Sequence, residues 1–422
     1  MNEDMLIMLF GAGVVLLVIV MILVIFMAVS MLRRMKEQSR VHHLEMDLFE
    51  RQILLAKAMQ EKNAANTSSW NGVRKFIVAR KVNECDSVCS FHLKAQDQKP
   101  LPSFEPGQFL TFELNIPNQP RRVVRCYSLS DAFSSEAYRV TVKKIPPPPD
   151  KPGAPPGLVS SFFHETVKEG DILDVRAPAG QFTLDEKKPD PVVLIAGGVG
   201  ITPIFSMLKA ICAEKAGREA WLFYGVTHGG EHAFKSQIQE LLRATPGVRG
   251  LACYSKPRAS DVLNVDYQYA GRVCLDLLKT TLPSNNYDFF VCGPAPMMES
   301  MAKSIKAWGV PENRLHTEAF GPASLKKTAP ASVSTTATSF DVAFTKSNKV
   351  LKWSAESSSL LDLAEASGIA ISSGCRAGNC GTCKVAVKAG KVGYLKRPGF
   401  AVEPGTCLTC IGVPESPLQL DA

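Results

Sequence analysis

Three cysteines, Cys375, Cys380 and Cys383, are separated by four and then two residues within the segment SSGCRAGNCGTCKV. A chain with such a loop has to fold around whatever the thiols hold. The glycines between them supply the backbone freedom to wrap a small inorganic core and to aim amides at its sulfurs. Of the twelve cysteines, five fall after residue 370 and the others are scattered. That is a metal pattern and not an evenly spaced disulfide framework, and so many scattered thiols suit a reducing compartment. Zinc sites usually join two short Cys/His elements, whereas here a four-and-two loop is followed by one distant cysteine. A fourth thiolate must come from further along, and Gly405-Thr406-Cys407-Leu408-Thr409-Cys410 offers two candidates.

The spacing resembles that of plant-type [2Fe-2S] ferredoxins, over a final unit covering residues 339–422. The resemblance implies an α+β β-grasp fold and a [2Fe-2S] cluster on Cys375, Cys380, Cys383 and Cys410. Leu408-Thr409-Cys410 is similar to the ferredoxin strand that delivers the last ligand, which leaves Cys407 as a buried or edge thiol. Leu360 to Ala366 resembles the helix that precedes the cluster loop.

At 422 residues the chain exceeds one ordinary core, so two to four compact units are expected. From Met5 to Leu32 there is no charged residue. About 20 helical residues cross a bilayer core, so residues 1–32 read as a transmembrane helix. Arg33, Arg34, Lys36 and Arg40 follow it, which predicts a single-pass membrane protein with cytoplasmic catalytic domains. A cleaved signal peptide would need a basic n-region and a shorter apolar run. Residues 33–71 read as a helical stalk and linker. The net charge of +8 comes with no basic stripe interleaved with aromatics, so nucleic acid is not an expected partner.

Across residues 72–186 short apolar runs such as Phe109 to Phe112 and Tyr138 to Val142 are broken by Gly, Pro and Asp, as in a small antiparallel β-barrel. Residues 187–322 alternate strands (Val192 to Ala196, Ala220 to Val226, Val248 to Ser255, Tyr287 to Cys292) with helical segments, as in a doubly wound parallel sheet. Residues 323–338 read as a flexible linker. The expected fold class is therefore multidomain: a transmembrane helix, an antiparallel β-barrel, an α/β domain and an α+β β-grasp ferredoxin domain.

Arg125-Cys126-Tyr127-Ser128 resembles the R-x-Y-S motif of the ferredoxin-NADP reductase superfamily, and the resemblance extends from about residue 72 to 320. It implies that Tyr127 packs on a flavin ring, that Arg125 meets its phosphate and that Ser128 lies near its reactive nitrogen. Gly157-Leu158-Val159-Ser160-Ser161 resembles the family's second flavin-phosphate segment, with Gly157, Ser160 and Ser161 toward the pyrophosphate. The cofactor implied is FAD, with FMN as the alternative because the phthalate dioxygenase reductase group uses FMN with this domain order. Gly197-Gly198-Val199-Gly200-Ile201-Thr202-Pro203 follows a strand and opens a helix, where a dinucleotide can meet free amides. Gly198, Gly200, Thr202 and Pro203 are the candidate contacts. Cys292-Gly293-Pro294 resembles the family's C-G-P motif beside the nicotinamide, so Cys292 and Gly293 join the site, and Glu318 and Phe320 resemble the segment that closes over the flavin. On its own, Cys292 also reads as a packed core thiol. Ser128, Cys292 and Glu318 are the catalytic candidates. Glu231 after the strand Ala220 to Val226 argues for NADH, while Ser255-Lys256 argues for NADPH.

A hydride carries two electrons and the cluster takes one, so a flavin between them is the natural converter. The expected activity is NAD(P)H:acceptor oxidoreduction, with electrons passed to an oxygenase, desaturase or hydroxylase, or to another membrane-associated redox partner. The alternative is an electron-input subunit of a respiratory NADH:quinone reductase-type complex, although in that subunit the ferredoxin precedes the flavin domain.

Overall fold

The computed structural model describes residues 70, 72–148, 153–213, 217–320, 339–354, 357–376, 378, 380–395, 398, 400 and 402–422, with Met21 and Met31. The chain divides into two units, Met1–Ser69 and Trp70–Ala422. Of the first, only Met21 and Met31 are described, each helical and exposed.

The expected membrane anchor is corrected here. Among the described residues no helix is long and apolar enough to cross a membrane. The longest described helices, Ile201–Ala213 and Ala295–Ala307, have 13 residues each, where about 20 are needed. Both pack on the nucleotide-domain sheet, which buries their apolar faces against protein. The fold class loses its transmembrane helix and the single-pass localisation falls with it. Apart from Met21, Met31 and Trp70, the expected span 1–32 and stalk 33–71 lie outside the described residues, as does the linker 323–338.

The second unit begins with six antiparallel strands: β1 (Val73–Cys85), β2 (Val88–Ala95), β3 (Phe109–Leu114), β4 (Val123–Ser128), β5 (Tyr138–Lys143) and β6 (Ile172–Ala179). They run in the order β4-β3-β6-β1-β2-β5. The two ends meet through the bridge Leu129↔Val140 and the bond from Ser130 N to Arg139 O (2.9 Å), so the sheet closes into a barrel. Alternate residues point inward because the strand period is two: Phe76 and Val78, Phe91 and Leu93, Leu110 and Phe112, Val140 and Val142 are all fully buried. Phe163, in the short π-helix Phe162–Thr166, fills the barrel with edge-to-face contacts to Phe91 (5.1 Å), Phe112 (5.4 Å) and Tyr127 (5.1 Å). These contacts fix the tyrosine of the R-x-Y-S motif.

Six parallel strands follow: β7 (Val192–Gly197), β8 (Ala220–Val226), β9 (Val248–Tyr254), β10 (Tyr269–Ala270), β11 (Asp288–Gly293) and β12 (Leu315–Ala319), in the order β10-β9-β8-β7-β11-β12. Both faces are covered. Leu194 and Ala196 join the core under Ile201–Ala213, and Val193 and Ile195 join the one under Ala295–Ala307, which is why β7 is apolar at every position. The strand order reverses between β7 and β11, and in such sheets ligands bind in the crevice at the strands' carboxyl ends at that point.

The last strands are β13 (Asp341–Phe344), β14 (Lys349–Lys352), β15 (Lys384–Ala389), β16 (Val392–Tyr394), β17 (Thr406–Leu408), β18 (Gly412–Pro414) and β19 (Leu418–Leu420). They form a five-stranded mixed sheet, β14-β13-β19-β15-β17, and a β16-β18 ribbon. The helix Leu360–Ala366 lies on the sheet, its Leu360, Leu363 and Ala364 packed with Val342, Phe344, Leu418 and Leu420. Ser359 caps it by accepting from Asp362 N (3.1 Å), as a serine before a helix should.

The barrel and the parallel sheet are locked by Arg139. It is 4% exposed, donates to Ser130 O and Gln237 Oε1 (3.3 Å), pairs with Asp131 (3.2 Å), and lies over Phe205 (5.3 Å) and Phe234 (4.8 Å). Burial holds its pKa below the usual arginine range, opposed by the Asp131 charge.

Candidate functional site

A cavity of about 490 Å³ opens where the barrel, the parallel sheet and the cysteine loop converge. Its floor is β4, which contributes Arg125, Cys126, Tyr127 and Ser128. Thr141, Lys143 and Ile145 come from β5 and the turn after it, Gly157 and Ser160 from the next connection, Val199 from the turn after β7 and Thr202 from the first turn of the helix Ile201–Ala213. Glu318 and Phe320 approach from β12, and Gly374, Cys375 and Arg376 from the cysteine loop. So the structure brings Arg125, Tyr127, Ser128, Gly157, Ser160, Thr202, Glu318, Phe320 and Cys375 to one cavity. Among the lining residues that the sequence reading missed are Thr141, Lys143 and Ile145. They stand two apart, which puts them on one face of an extended segment, but only the barrel's closure shows that this face meets β4.

The local chemistry refines several expectations. Burial pushes the Tyr127 phenol well above its ordinary pKa, so its hydroxyl stays protonated. Ser160 Oγ donates to Gly157 O (2.9 Å) and accepts from Ile145 N (3.1 Å), so it braces the turn. Ser161 Oγ, by contrast, is buried with no hydrogen-bond partner among the described residues. A buried hydroxyl without a partner costs about 1–3 kcal/mol, and an acceptor such as a phosphate oxygen would relieve it. Ser161 is not among the residues lining the cavity; Arg125 and Lys143 are, and these two cations fit the phosphates of a flavin nucleotide. Lys143 also pairs with Glu231 (3.0 Å), which occupies the carboxylate after β8.

The other predicted residues, Gly198, Gly200, Pro203, Cys292 and Gly293, lie at the β7/β11 crevice. Gly198 has φ +52 and a Cβ there would meet nothing within 4 Å, so this turn faces open space. Gly200 is the opposite case: a Cβ would lie 2.2 Å from Cys292 O. The turn can therefore approach the end of β11 only as glycine. Pro203 occupies the first turn of Ile201–Ala213, where its missing N–H is not needed. Thr202 Oγ1 donates to Val199 O (3.0 Å). Cys292 is fully buried and sits in register with Glu318 on β12. Burial, then the Glu318 charge, pushes its thiol well above the ordinary range, so it is a neutral group at physiological pH.

The cysteine loop is arranged in pairs. The backbone N–H of Cys375 donates to Cys380 Sγ (3.3 Å), and Cys383 and Cys410 lie together in one buried cluster. Thr409 Oγ1 donates to Cys383 O (3.1 Å), tying the segment that carries Cys410 to the loop. Cys407 points elsewhere, into the core with Phe344 and Leu418, while Cys383 and Cys410 share a separate cluster. Among the described residues no three Cys, His, Asp or Glu side chains converge where a single metal ion would sit. Two pairs of thiols instead match a cluster of two irons held by four cysteines.

Three family profiles match the chain in the same order. They are the oxidoreductase FAD-binding domain over residues 75–184, the oxidoreductase NAD-binding domain over 194–303, and the 2Fe-2S iron-sulfur cluster binding domain over 344–415. The flavohem-like FAD/NAD binding domain of nitric oxide dioxygenase from Vibrio cholerae O1 biovar El Tor is 33% identical, with a TM-score of 0.53, over 60% of this chain and 100% of that one. The chain belongs to this family of FAD- and NAD-binding oxidoreductases. The flavohemoprotein of Halalkalibacterium halodurans is 37% identical over 271 residues, 64% of this chain, and the chain spans only 65% of that relative's length. Phthalate dioxygenase reductase, described as a modular structure for electron transfer from pyridine nucleotides to [2Fe-2S], shares the fold over 83% of this chain and 98% of its own, at 24% identity and a TM-score of 0.51. Its three domains make this family member an oxidoreductase whose cofactors are FAD, NADH and a [2Fe-2S] cluster.

Proposed function

We propose that the chain passes electrons one at a time from NADH through FAD and the cluster to an oxygenase-type acceptor protein. The observation that carries this reading is that Cys375 and the R-x-Y-S residues line one cavity, so the cluster loop meets the flavin motif directly. Bound FAD supplies the conversion between a two-electron donor and a one-electron acceptor. The shared fold and domain order with phthalate dioxygenase reductase support an oxygenase component as recipient.

In this reading Tyr127 packs against the flavin ring and Ser128, itself buried, orients it. Arg125, Lys143 and Gly157 hold its phosphates, and Ser160 shapes the turn that carries them. Gly198, Gly200, Thr202, Pro203 and Gly293 form the dinucleotide crevice. Cys292 and Glu318 border the hydride path, Cys292 as an uncharged wall. Phe320 closes over the flavin, and Cys375, Cys380, Cys383 and Cys410 hold the irons. A Cys375→Ser variant tests the route. It should keep NADH-dependent ferricyanide reduction while losing reduction of an oxidised Rieske or di-iron oxygenase component. Equal reduction of that component by the variant would refute the path.

A further inference from the structure

In a doubly wound sheet the group that reads a dinucleotide's ribose stands past the strand beside the glycine turn, a carboxylate for the 2′-hydroxyl or an arginine for the 2′-phosphate. Here that place is the turn after β8, the parallel neighbour of β7. Glu231 of this turn is already engaged by Lys143 (3.0 Å) and Thr227 N (3.4 Å). An arginine arrives from the loop after β9, which runs alongside through bonds from Ser255 N to Val226 O (3.0 Å) and from Lys256 N to Thr227 O (2.8 Å). Asp261 Oδ2 clamps the two segments by accepting from Gly229 N (3.2 Å) and Arg258 N (2.7 Å). Arg258 is thereby held over the turn, its Nη2 donating to His228 Nε2 (3.2 Å).

The carboxylate that meets this guanidinium belongs to the flavin barrel. Asp86, at the tip of the β1–β2 hairpin, accepts from Arg258 Nη2 at Oδ2 (3.0 Å) and donates its own N–H to Gly230 O (3.0 Å). A Cβ on Gly230 would lie 2.2 Å from Asp86 Oδ2 and 2.6 Å from Arg258 Nη1, so both charges press on the backbone of the turn after β8. About half of each side chain is exposed, and an ion pair of that kind adds little to stability. The geometry points to Asp86 as a specificity-determining residue for the dinucleotide, one that favours NADH over NADPH. This rests on the dinucleotide crevice proposed above. A 2′-phosphate at this turn has to displace the Asp86 carboxylate from Arg258 and then stand beside it, like charge against like charge. The neutral 2′-hydroxyl of NADH meets no such repulsion.

The test is anaerobic stopped-flow reduction of the flavin by NADPH and by NADH in the full-length holoprotein, read as the ratio of the two second-order rate constants. Asp86→Asn keeps the shape and removes the charge, and should raise the NADPH/NADH ratio about fivefold. The gain should be larger at low ionic strength than at high, because salt screens exposed charges. Adding Arg258→Ala to Asp86→Asn should remove it. A ratio unchanged by Asp86→Asn at low salt, or a gain that survives Arg258→Ala, would overturn the inference while leaving the crevice in place. A Gly200→Ala protein whose flavin NADH still reduces at the wild-type rate would overturn the crevice instead.

Discussion

Replacing Gly200 by alanine puts one methyl group where the structure has no space for it. The new Cβ would stand 2.2 Å from Cys292 O, 2.5 Å from Cys292 C and 2.8 Å from Gly293 N. Non-bonded carbon contacts settle at about 3.5–4.0 Å, so the turn and the end of β11 must part by roughly 1 Å. All three contacted atoms are backbone, and Cys292 is held in register by Ala196 on one side and Glu318 on the other. No side chain can swing away to absorb the strain. Overpacking of this kind costs about 1–3 kcal/mol, and a displacement of about 1 Å at a positioned reactant lowers its rate on the order of 10²-fold. Anaerobic stopped-flow reduction of the flavin by NADH should therefore slow by about that factor, while dithionite still reduces flavin and cluster. A Gly200→Ala protein that bleaches its flavin with NADH at the wild-type rate and unfolds at the wild-type Tm would refute the crevice assignment.

Arg139→Ala removes a buried guanidinium shared by the barrel and the parallel sheet, and should cost about 3–5 kcal/mol in urea unfolding; a loss under about 1 kcal/mol would contradict its role as the lock. His232 is 5% exposed, its Nδ1 is 2.8 Å from Tyr254 Oη, and burial lowers its pKa to about 4 from 6.5. The unfolded chain binds the proton first on acidification, so this stability is present above about pH 6.5 and drains away toward pH 4, with about 2 kcal/mol gone by pH 5. His232→Gln should flatten that part of the urea-stability profile, and an unaltered slope between pH 7 and 5 would count against the assignment. Cys410→Ser should abolish or strongly alter the visible cluster spectrum and Cys407→Ser should not. A spectrum sensitive only to Cys407 would exchange their roles.

What could be read from the sequence was local. The helix Leu360–Ala366 falls where the ferredoxin resemblance put it and the strand Ala220–Val226 where the alternation of strands and helices put it, and the glycine turn after β7 sits at the reversal of strand order. The barrel strands were harder: β1 runs over 13 residues, far beyond the apolar run Phe76 to Val78, because its pairing with both β2 and β6 supplies bonds that its own composition does not signal. Strand β12 was legible only as a motif, since it exists by adding to the edge of β11. Lys143 and Cys126 reach the cavity through barrel closure and domain docking, and Ser160 proved a brace because its partner Ile145 lies 15 residues back. Non-local contacts of this kind leave no trace in spacing. The apolar stretch Met5 to Leu32 misled in the other direction, since length and hydropathy predicted a membrane span that no helix among the described residues provides.

The central claim is a single electron path, and anaerobic titration of the full-length protein with NADH, followed optically and by EPR, tests it most directly. The account predicts that bleaching of the flavin is accompanied by the signal of a reduced [2Fe-2S] cluster. A flavin fully reduced by NADH beside a cluster that stays oxidised and EPR-silent would contradict it.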